Sequence, residues 1–351
     1  MIRFPSKWIL SAMFSVLLLA VILISSSWDS WYKQEYWMRG LASEQKSSRP
    51  TSSIQKSKPL ESMPEMTERT VIKSTELQTK RLDHLKKACS RLKLNRPEND
   101  TTLTIGNTLH HPGQILVFPK YKLMYCVVPK VSCTSWKRLF AVLHGLVDDV
   151  DELKNPHVFT RKYFTWMSQL PLAKREEVLR TYTKFLFVRN PYARILSAYR
   201  DKFGNQGSPW SLSAKQWLKK HTSDPPIGGV TFSQFVTYYL QDSQKNMHWE
   251  DMNKICDPCT IDYDFIGYYE TLKPDSDYIL NLVRAPNSTR FPDPQKIPTH
   301  SSSDDILRSY YSQLSDEQLK LLSESEGLAK DLELFNYSIP EAIKRENHIH
   351  Q

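Results

Sequence analysis

The sequence predicts an α/β domain with a central parallel sheet flanked by helices, preceded by one N-terminal transmembrane helix and a flexible stem. Three observations predict it. Twice, a short apolar run ends in a loop of basic and hydroxyl residues and then passes into a helix. Near the N-terminus lies a long stretch without charge. Over residues 41–70, after that stretch, Ser, Lys, Glu and Pro dominate and apolar periodicity is lost.

The chain has 351 residues, 40% of them hydrophobic and 11% aromatic, enough for one large domain or two small ones plus a tether. Its formal net charge of +9 suits an anionic partner: nucleic acid, anionic lipid, a nucleotide or an acidic polysaccharide. Charge alone does not choose among these, nor against a plain basic soluble protein.

No charged residue stands between Trp8 and Trp28, and Leu17, Leu18, Leu19, Val21, Ile22, Leu23 and Ile24 make the stretch strongly apolar. Its length just suffices to cross the ~30 Å hydrocarbon core as a helix. Arg3 and Lys7 precede it, whereas Asp29, Lys33, Glu35 and Arg39 cancel after it, so the N-terminus is expected in the cytosol. The alternative is a cleaved signal peptide ending at Ser25-Ser26-Ser27. The expected order is a tail (1–7), an anchor (8–27), a lumenal stem (28–79), a folded domain (80–340) and a C-terminal tail (341–351).

Asn99-Asp100-Thr101, Asn287-Ser288-Thr289 and Asn336-Tyr337-Ser338 are glycosylation sequons and fit a lumenal domain. The five cysteines, Cys89, Cys126, Cys133, Cys256 and Cys259, then favour two disulfides and one thiol, with the pairing open. Cys256 and Cys259 have the CxxC spacing. Zinc would need two further ligands, and the chain has no second CxxC and no HxxxH, so no metal site is expected.

Leu82, Leu85, Cys89 and Leu92 recur at helical spacing among Lys80, Arg81, Lys86, Lys87, Arg91 and Lys93. This is either a solvated helix packed on the domain or a basic surface for an acidic glycan. Leu116–Phe118 and Leu123–Val128 read as strands, 135–146 as a helix, Phe185–Val188 as a strand and Pro191–Phe203 as a helix. Later segments, 231–241, 276–284 and 315–335, read as helical.

The first strand-to-helix loop reads Pro129-Lys130-Val131-Ser132-Cys133-Thr134-Ser135. Backbone N–H groups at a helix N-terminus attract anions. Lys130 adds a positive charge there, and Thr134 and Ser135 add hydroxyl donors. The full GxxxxGK[ST] pattern is missing. The second loop and helix read Arg189-Asn190-Pro191-Tyr192-Ala193-Arg194-Ile195-Leu196-Ser197. Pro191 suits the first helical turn because it has no N–H to lose. Arg189 stands at the strand tip, and a guanidinium matches phosphate oxygens two at a time. Arg194 and Arg200 have the simpler reading of ordinary helix residues.

Together the two loops resemble the sulfotransferase superfamily, whose first loop has the form PKxxxTxW and whose second has the form RxPxxRxxSxY. Pro129, Lys130, Thr134 and Trp136 stand in the first, and Arg189, Pro191, Arg194, Ser197 and Tyr199 in the second. Tyr125–Lys130, Trp136-Lys137-Arg138, His248-Trp249, the CxxC segment, Tyr263–Gly267 and Tyr269-Glu270-Thr271 are similar to the chondroitin and dermatan 4-O-sulfotransferase group. One departure is Asn190, where many members carry an acidic residue.

The resemblance implies a P-loop-like sulfotransferase fold and a Golgi-lumenal enzyme. It implies 3′-phosphoadenosine 5′-phosphosulfate as donor, bound along 129–135 and 189–197, with Arg189 and Ser197 on the 3′-phosphate. Lys130 would neutralise the leaving oxygen, and His157, read as a loop residue, would take the acceptor's proton, with His248 as the alternative. The implied partners are an acidic chondroitin- or dermatan-type glycan and the Golgi membrane, not nucleic acid. Glucuronic acid 3-OH is the alternative acceptor. Rival classes are a glycan kinase, which lacks a visible magnesium site, and a tethered glycan-binding protein, which leaves both loops unexplained.

Overall fold

The computed structural model describes residues 68–95, 106–153, 155–204, 206–223, 226–241, 246–286, 289–292 and 301–344. The expected anchor at 8–27, residues 28–67 of the expected stem, and the sequons at Asn99 and Asn287 lie outside them. Among the described residues no helix is long and apolar enough to cross a membrane.

In chain order the elements are helix α1 (Glu68–Arg91), strands β1 (Ile115–Phe118) and β2 (Leu123–Cys126), helices α2 (Cys133–His144) and α3 (Pro156–Tyr163), strand β3 (Thr165–Trp166), helix α4 (Leu172–Thr181), strand β4 (Thr183–Val188) and helix α5 (Pro191–Lys202). Helices α6 (Pro209–His221), α7 (Phe232–Gln241) and α8 (Met252–Cys256) follow, then strand β5 (Phe265–Tyr268) and helices α9 (Leu272–Leu282), α10 (Asp304–Tyr311), α11 (Asp316–Ser323) and α12 (Glu326–Leu334).

The sheet order is β3-β1-β2-β4-β5. β2, β4 and β5 run parallel, as crossover helices require. β1 pairs antiparallel with both β2 and β3, so the sheet is mixed and not wholly parallel. The physical reason is the three-residue 3-10 turn Pro119–Tyr121 joining β1 to β2, far too short for a crossover. Lys122 closes that turn in the left-handed region, at φ 49°.

Trp136 fixes α2 on the sheet. Its side chain is fully buried, with ring centroids 4.9 Å from Phe185, 5.2 Å from Phe187 and 5.2 Å from Phe291. Aromatic pairs of this kind add ~0.5–1.5 kcal/mol each beyond area burial. Helix α5 is buried along almost its whole length. Its Tyr192, Ile195, Leu196 and Ala198 belong to a second apolar cluster with Phe232, Phe235, Leu307 and Tyr311. Gly267 in β5 is forced by proximity: a Cβ there would lie 2.2 Å from Cε1 of Phe187.

β5 is an edge strand, and α1 closes that edge. Gln78 Oε1 accepts from the Ile266 N–H at 3.0 Å, while Arg81 Nη1 donates to the Ile266 carbonyl at 2.9 Å. Two side chains thus replace the backbone of a missing neighbour strand. Arg81 also pairs with Asp275 at 2.8 Å and stacks over Tyr268 at 4.3 Å. Residues 68–79, expected in the stem, are therefore the start of α1, and Gln78 is buried in the domain. Likewise Ala342 and Ile343, expected in the tail, are buried.

Two disulfides join distant segments, Cys89–Cys259 and Cys126–Cys256; Cys133 is a buried free thiol. The CxxC cysteines thus bind outward, one to α1 and one to β2. Of the helical expectations, 231–241 matches α7. The stretch 315–335 is two helices, α11 and α12, separated at Ser325.

Candidate active site

β2 and β4 are adjacent parallel strands, with Cys126 opposite Leu186, so the loops that follow them leave the sheet at the same end. The first loop is bent by two positive-φ residues without glycine, Lys130 at 71° and Ser132 at 53°. That conformation costs roughly 1–2 kcal/mol per residue and persists only where the surroundings hold it. Two buried arginines hold it here. Arg189 Nη1 donates to the Lys130 carbonyl at 3.1 Å, and Arg194 Nε donates to the Pro129 carbonyl at 3.0 Å.

Helix α2 starts directly after the bend, and no side chain caps it. Its first N–H groups, at Cys133, Thr134 and Ser135, are an anion-binding end. Helix α5 is built differently. Asn190 Oδ1 accepts from the Tyr192 N–H at 3.1 Å, so this start is closed by its own cap. Asn190 Nδ2 donates to the Ser338 carbonyl at 2.9 Å. The asparagine at this position thus acts as a helix cap.

Lys130 Nζ meets Asp201 Oδ2 at 3.0 Å, and Lys202 Nζ meets the same oxygen at 3.1 Å. Burial lowers the Lys130 ammonium from its ordinary value, against the pull of Asp201. Burial works to raise the Asp201 carboxyl, but the two lysines outweigh it and hold the group below the usual range. Arg189 is buried at the tip of β4. Its Nε and Nη2 both donate to Ser302 Oγ, at 3.1 and 2.7 Å, and its plane lies 4.1 Å from the Tyr269 ring centroid. Ser197 is buried two turns along α5, and Val131, Tyr192, Ala193, Ile195 and Leu196 are buried apolar supports.

One sequence expectation changes here, that of His157. Arg194 keeps its guanidinium engaged within the protein. It is 3% exposed and donates to three carbonyls, those of Pro129, Glu250 (2.6 Å) and Met247 (3.2 Å). His157 is not in a loop. It is the second residue of α3, whose cap is Asn155 and whose first residue is Pro156, the pattern of a helix start.

His157 Nε2 lies 3.3 Å from Thr134 Oγ1, and its Nδ1 lies 3.1 Å from Lys137 Nζ. Burial and then the charges of Lys137, Lys202 and Arg161 bring its pKa down to about 4, against Asp201. His248 lies in the segment after α7. Burial, Lys202 and Lys130 bring it down to about 3. Sequence reasoning gave no role to Lys137, Asp201, Lys202, Asn246 or Ser302. For Asp201 a signal existed, one helical turn beyond Ser197; for Ser302 there was none. Asn336, the one described sequon, is exposed with φ 52°.

The loop pair, their shared end of the sheet and the uncapped α2 fit one known group. The sulfotransferase family profile matches residues 113–338. The chain belongs to the sulfotransferase family. Among similar proteins are carbohydrate sulfotransferase 14 of Danio rerio, 42% identical over 52% of this chain and 51% of that one. Carbohydrate sulfotransferase 9 of Homo sapiens is 32% identical over 76% of this chain and 61% of that one. Carbohydrate sulfotransferase 14 of Homo sapiens is 33% identical over 71% and 66%. The chain spans about half to two thirds of the length of these curated relatives. No solved structure matches it significantly.

Proposed function

We propose that this chain transfers the sulfuryl group of 3′-phosphoadenosine 5′-phosphosulfate to a hydroxyl of a glycan. The observation that carries the reading is the convergence of both loops. Arg189, at the end of β4, holds the carbonyl of Lys130, in the loop after β2. An anion at the start of α2 and a second one at Arg189 would then be bound side by side.

The residues present fit such a donor. The uncapped N–H groups of α2, with Thr134, Ser135 and Lys130, would take the 5′-phosphosulfate. Arg189 would take the 3′-phosphate by exchanging Ser302 Oγ, which now accepts from its Nε and Nη2, for phosphate oxygens, with Ser197 as the second ligand, and Tyr269 supports the guanidinium plane. Lys130 would leave Asp201 for the bridging oxygen, where negative charge develops as the sulfur–oxygen bond breaks.

For the acceptor, our reading is the 4-OH of N-acetylgalactosamine in a chondroitin- or dermatan-type chain. The likeness of the Tyr125–Lys130 and Tyr263–Gly267 segments to that group supports it, and the net charge of +9 agrees with a polyanion. We place the reaction in the Golgi lumen, with 8–27 as the anchor and Asn336 as a glycan site. The test is label transfer by the full-length chain in detergent, with radiolabelled donor and a metal chelator. Chondroitin, desulfated dermatan and a glucuronic acid-capped glycan are offered separately. Label in chondroitin or dermatan supports the acceptor, and label only in the capped glycan moves it to glucuronic acid 3-OH. A folded chain that neither transfers label nor binds the donor overturns the reading. Lys130→Ala and Arg189→Ala are expected to abolish transfer without unfolding the chain.

A further inference from the structure

Two histidines, His157 beside the start of α2 and His248 in the field of Lys130, are held in opposite tautomers. Lys137 is buried on α2, one turn beyond Thr134, and its Nζ faces His157 Nδ1 at 3.1 Å. An ammonium donates and does not accept. The Nδ1 of His157 is therefore an acceptor, which leaves the ring proton on Nε2, pointed at Thr134 Oγ1. In this state His157 offers a hydrogen at Nε2 and has no lone pair there for a proton.

His248 is arranged the other way. Asn246 Oδ1 accepts from the backbone N–H of His248 at 3.1 Å, which fixes which end of the amide is oxygen. The same oxygen lies 2.6 Å from His248 Nδ1, so Nδ1 carries the hydrogen and Nε2 carries the lone pair. The Trp210 ring packs against the imidazole, with centroids 5.6 Å apart.

His248 is tied to the anion loop. The guanidinium that holds the Pro129 carbonyl, next to Lys130, also holds the Met247 carbonyl, next to His248. The charged groups acting on the His248 ring are Lys202, Lys130 and Arg194, opposed by Asp201. Those acting on His157 are Lys137, Lys202 and Arg161, again opposed by Asp201.

We infer that His248, through Nε2, is the proton acceptor for the sugar hydroxyl, and that His157 is a hydrogen-bond donor at the start of α2. The inference rests on the sulfotransferase reading above. The acceptor oxygen bonds to sulfur as its proton passes to His248 Nε2. The bond from sulfur to the bridging oxygen breaks, that oxygen keeps the electron pair beside Lys130, and His248 later returns the proton to solvent. Burial first, and then repulsion from Lys202 and Lys130, keeps His248 a weak base before binding, and the donor's negative charges would offset the repulsion.

The test compares His248→Gln, His157→Gln and Asn246→Asp in the full chain. It measures kcat against pH and, separately, affinity for 3′-phosphoadenosine 5′-phosphate, the non-reactive product. Gln keeps a side-chain N–H donor but is no base. His248→Gln is expected to lose about 10²-fold or more in kcat with product affinity retained, and His157→Gln less than about tenfold. Asn246→Asp keeps the acceptor for Nδ1 and adds charge, so the acid limb of the kcat profile is expected to move to higher pH. A large loss in His157→Gln with a small one in His248→Gln overturns the inference, as does an acid limb unmoved in Asn246→Asp. A wild-type chain that binds no 3′-phosphoadenosine 5′-phosphate overturns the sulfotransferase reading itself, and that outcome is distinct from either.

Discussion

Arg194 donates from the buried interior of α5 to the carbonyl oxygen of Pro129, 65 residues earlier in the chain, at 3.0 Å. A charge in this position is costly to bury, and three carbonyl partners meet most of the cost. The arginine thus braces the anion loop from behind.

Removing that brace leaves several buried carbonyls without a donor. Arg194→Ala is expected to destabilise the fold by about 3 kcal/mol or more, since each orphaned buried group costs ~1–3 kcal/mol. Arg194→Lys restores the charge but not the fork, and is expected to recover only part. Urea denaturation checks this, and an unchanged midpoint in Arg194→Ala would sink the bracing role.

Asp201 competes with any anion for Lys130 and Lys202. Asp201→Asn is expected to tighten binding of 3′-phosphoadenosine 5′-phosphate several-fold at low salt, with the gain shrinking at high salt. Titration calorimetry at two ionic strengths reads this. Equal affinity in variant and wild type at low salt would rule out the competition.

Asp331 gives a dependence of stability on pH. Its buried carboxyl is raised to about 7, first by burial and then by Asp251, although Asn253 and the Met252 N–H donate to it. A raised carboxyl favours the protonated native state. Its contribution is full below the unfolded value near 4 and is lost as pH rises through about 7. The depressed His157 and His248 have the opposite sign between about 4 and 6.5, so the comparison with Asp331→Asn isolates the carboxyl. That variant also loses one acceptor, because Met252 and Asn253 now use both oxygens. It is expected to be less stable at acid pH, and its stability should fall less than the wild type's between pH 5 and 8. Parallel curves from denaturant midpoints would refute the assignment.

At Gly267, an added methyl meets the Phe187 ring on the neighbouring strand. Gly267→Ala is expected to cost about 1–3 kcal/mol or more through overpacking. Adding Phe187→Leu should recover part of the loss, which a double-mutant cycle measures. Additive effects would place the clash elsewhere.

β2, β4, α2 and α5 were legible in the sequence because each is a run of apolar residues at one clear period. β3 was not, since Thr165–Trp166 is two residues long and only half-buried. The antiparallel direction of β1 hangs on one short turn, whose length was visible but was not weighed. At the candidate site, Lys130 and Arg189 were legible because they lie on their loops at fixed places, and Ser197 because it stands at a fixed spacing from Arg189 on α5. Lys137, Asp201 and Asn246 act through neighbours brought together by helical turns or by tertiary contact, which no local spacing reports. The same holds for Arg194: a motif gives a residue's position and leaves open which way its side chain turns.

Neighbouring strands of a sheet are kept ~4.8 Å apart by their ladder of hydrogen bonds. β2 and β4 are such neighbours, and each launches one of the two loops. In the function proposed above, the main chain would act as a gauge for the separation of two charged groups on one nucleotide. Side-chain changes in the loops would alter how tightly each group is gripped, whereas the gauge itself would shift only with a residue inserted into β2 or β4. Discrimination by distance would then outlast discrimination by contact as the loops diverge.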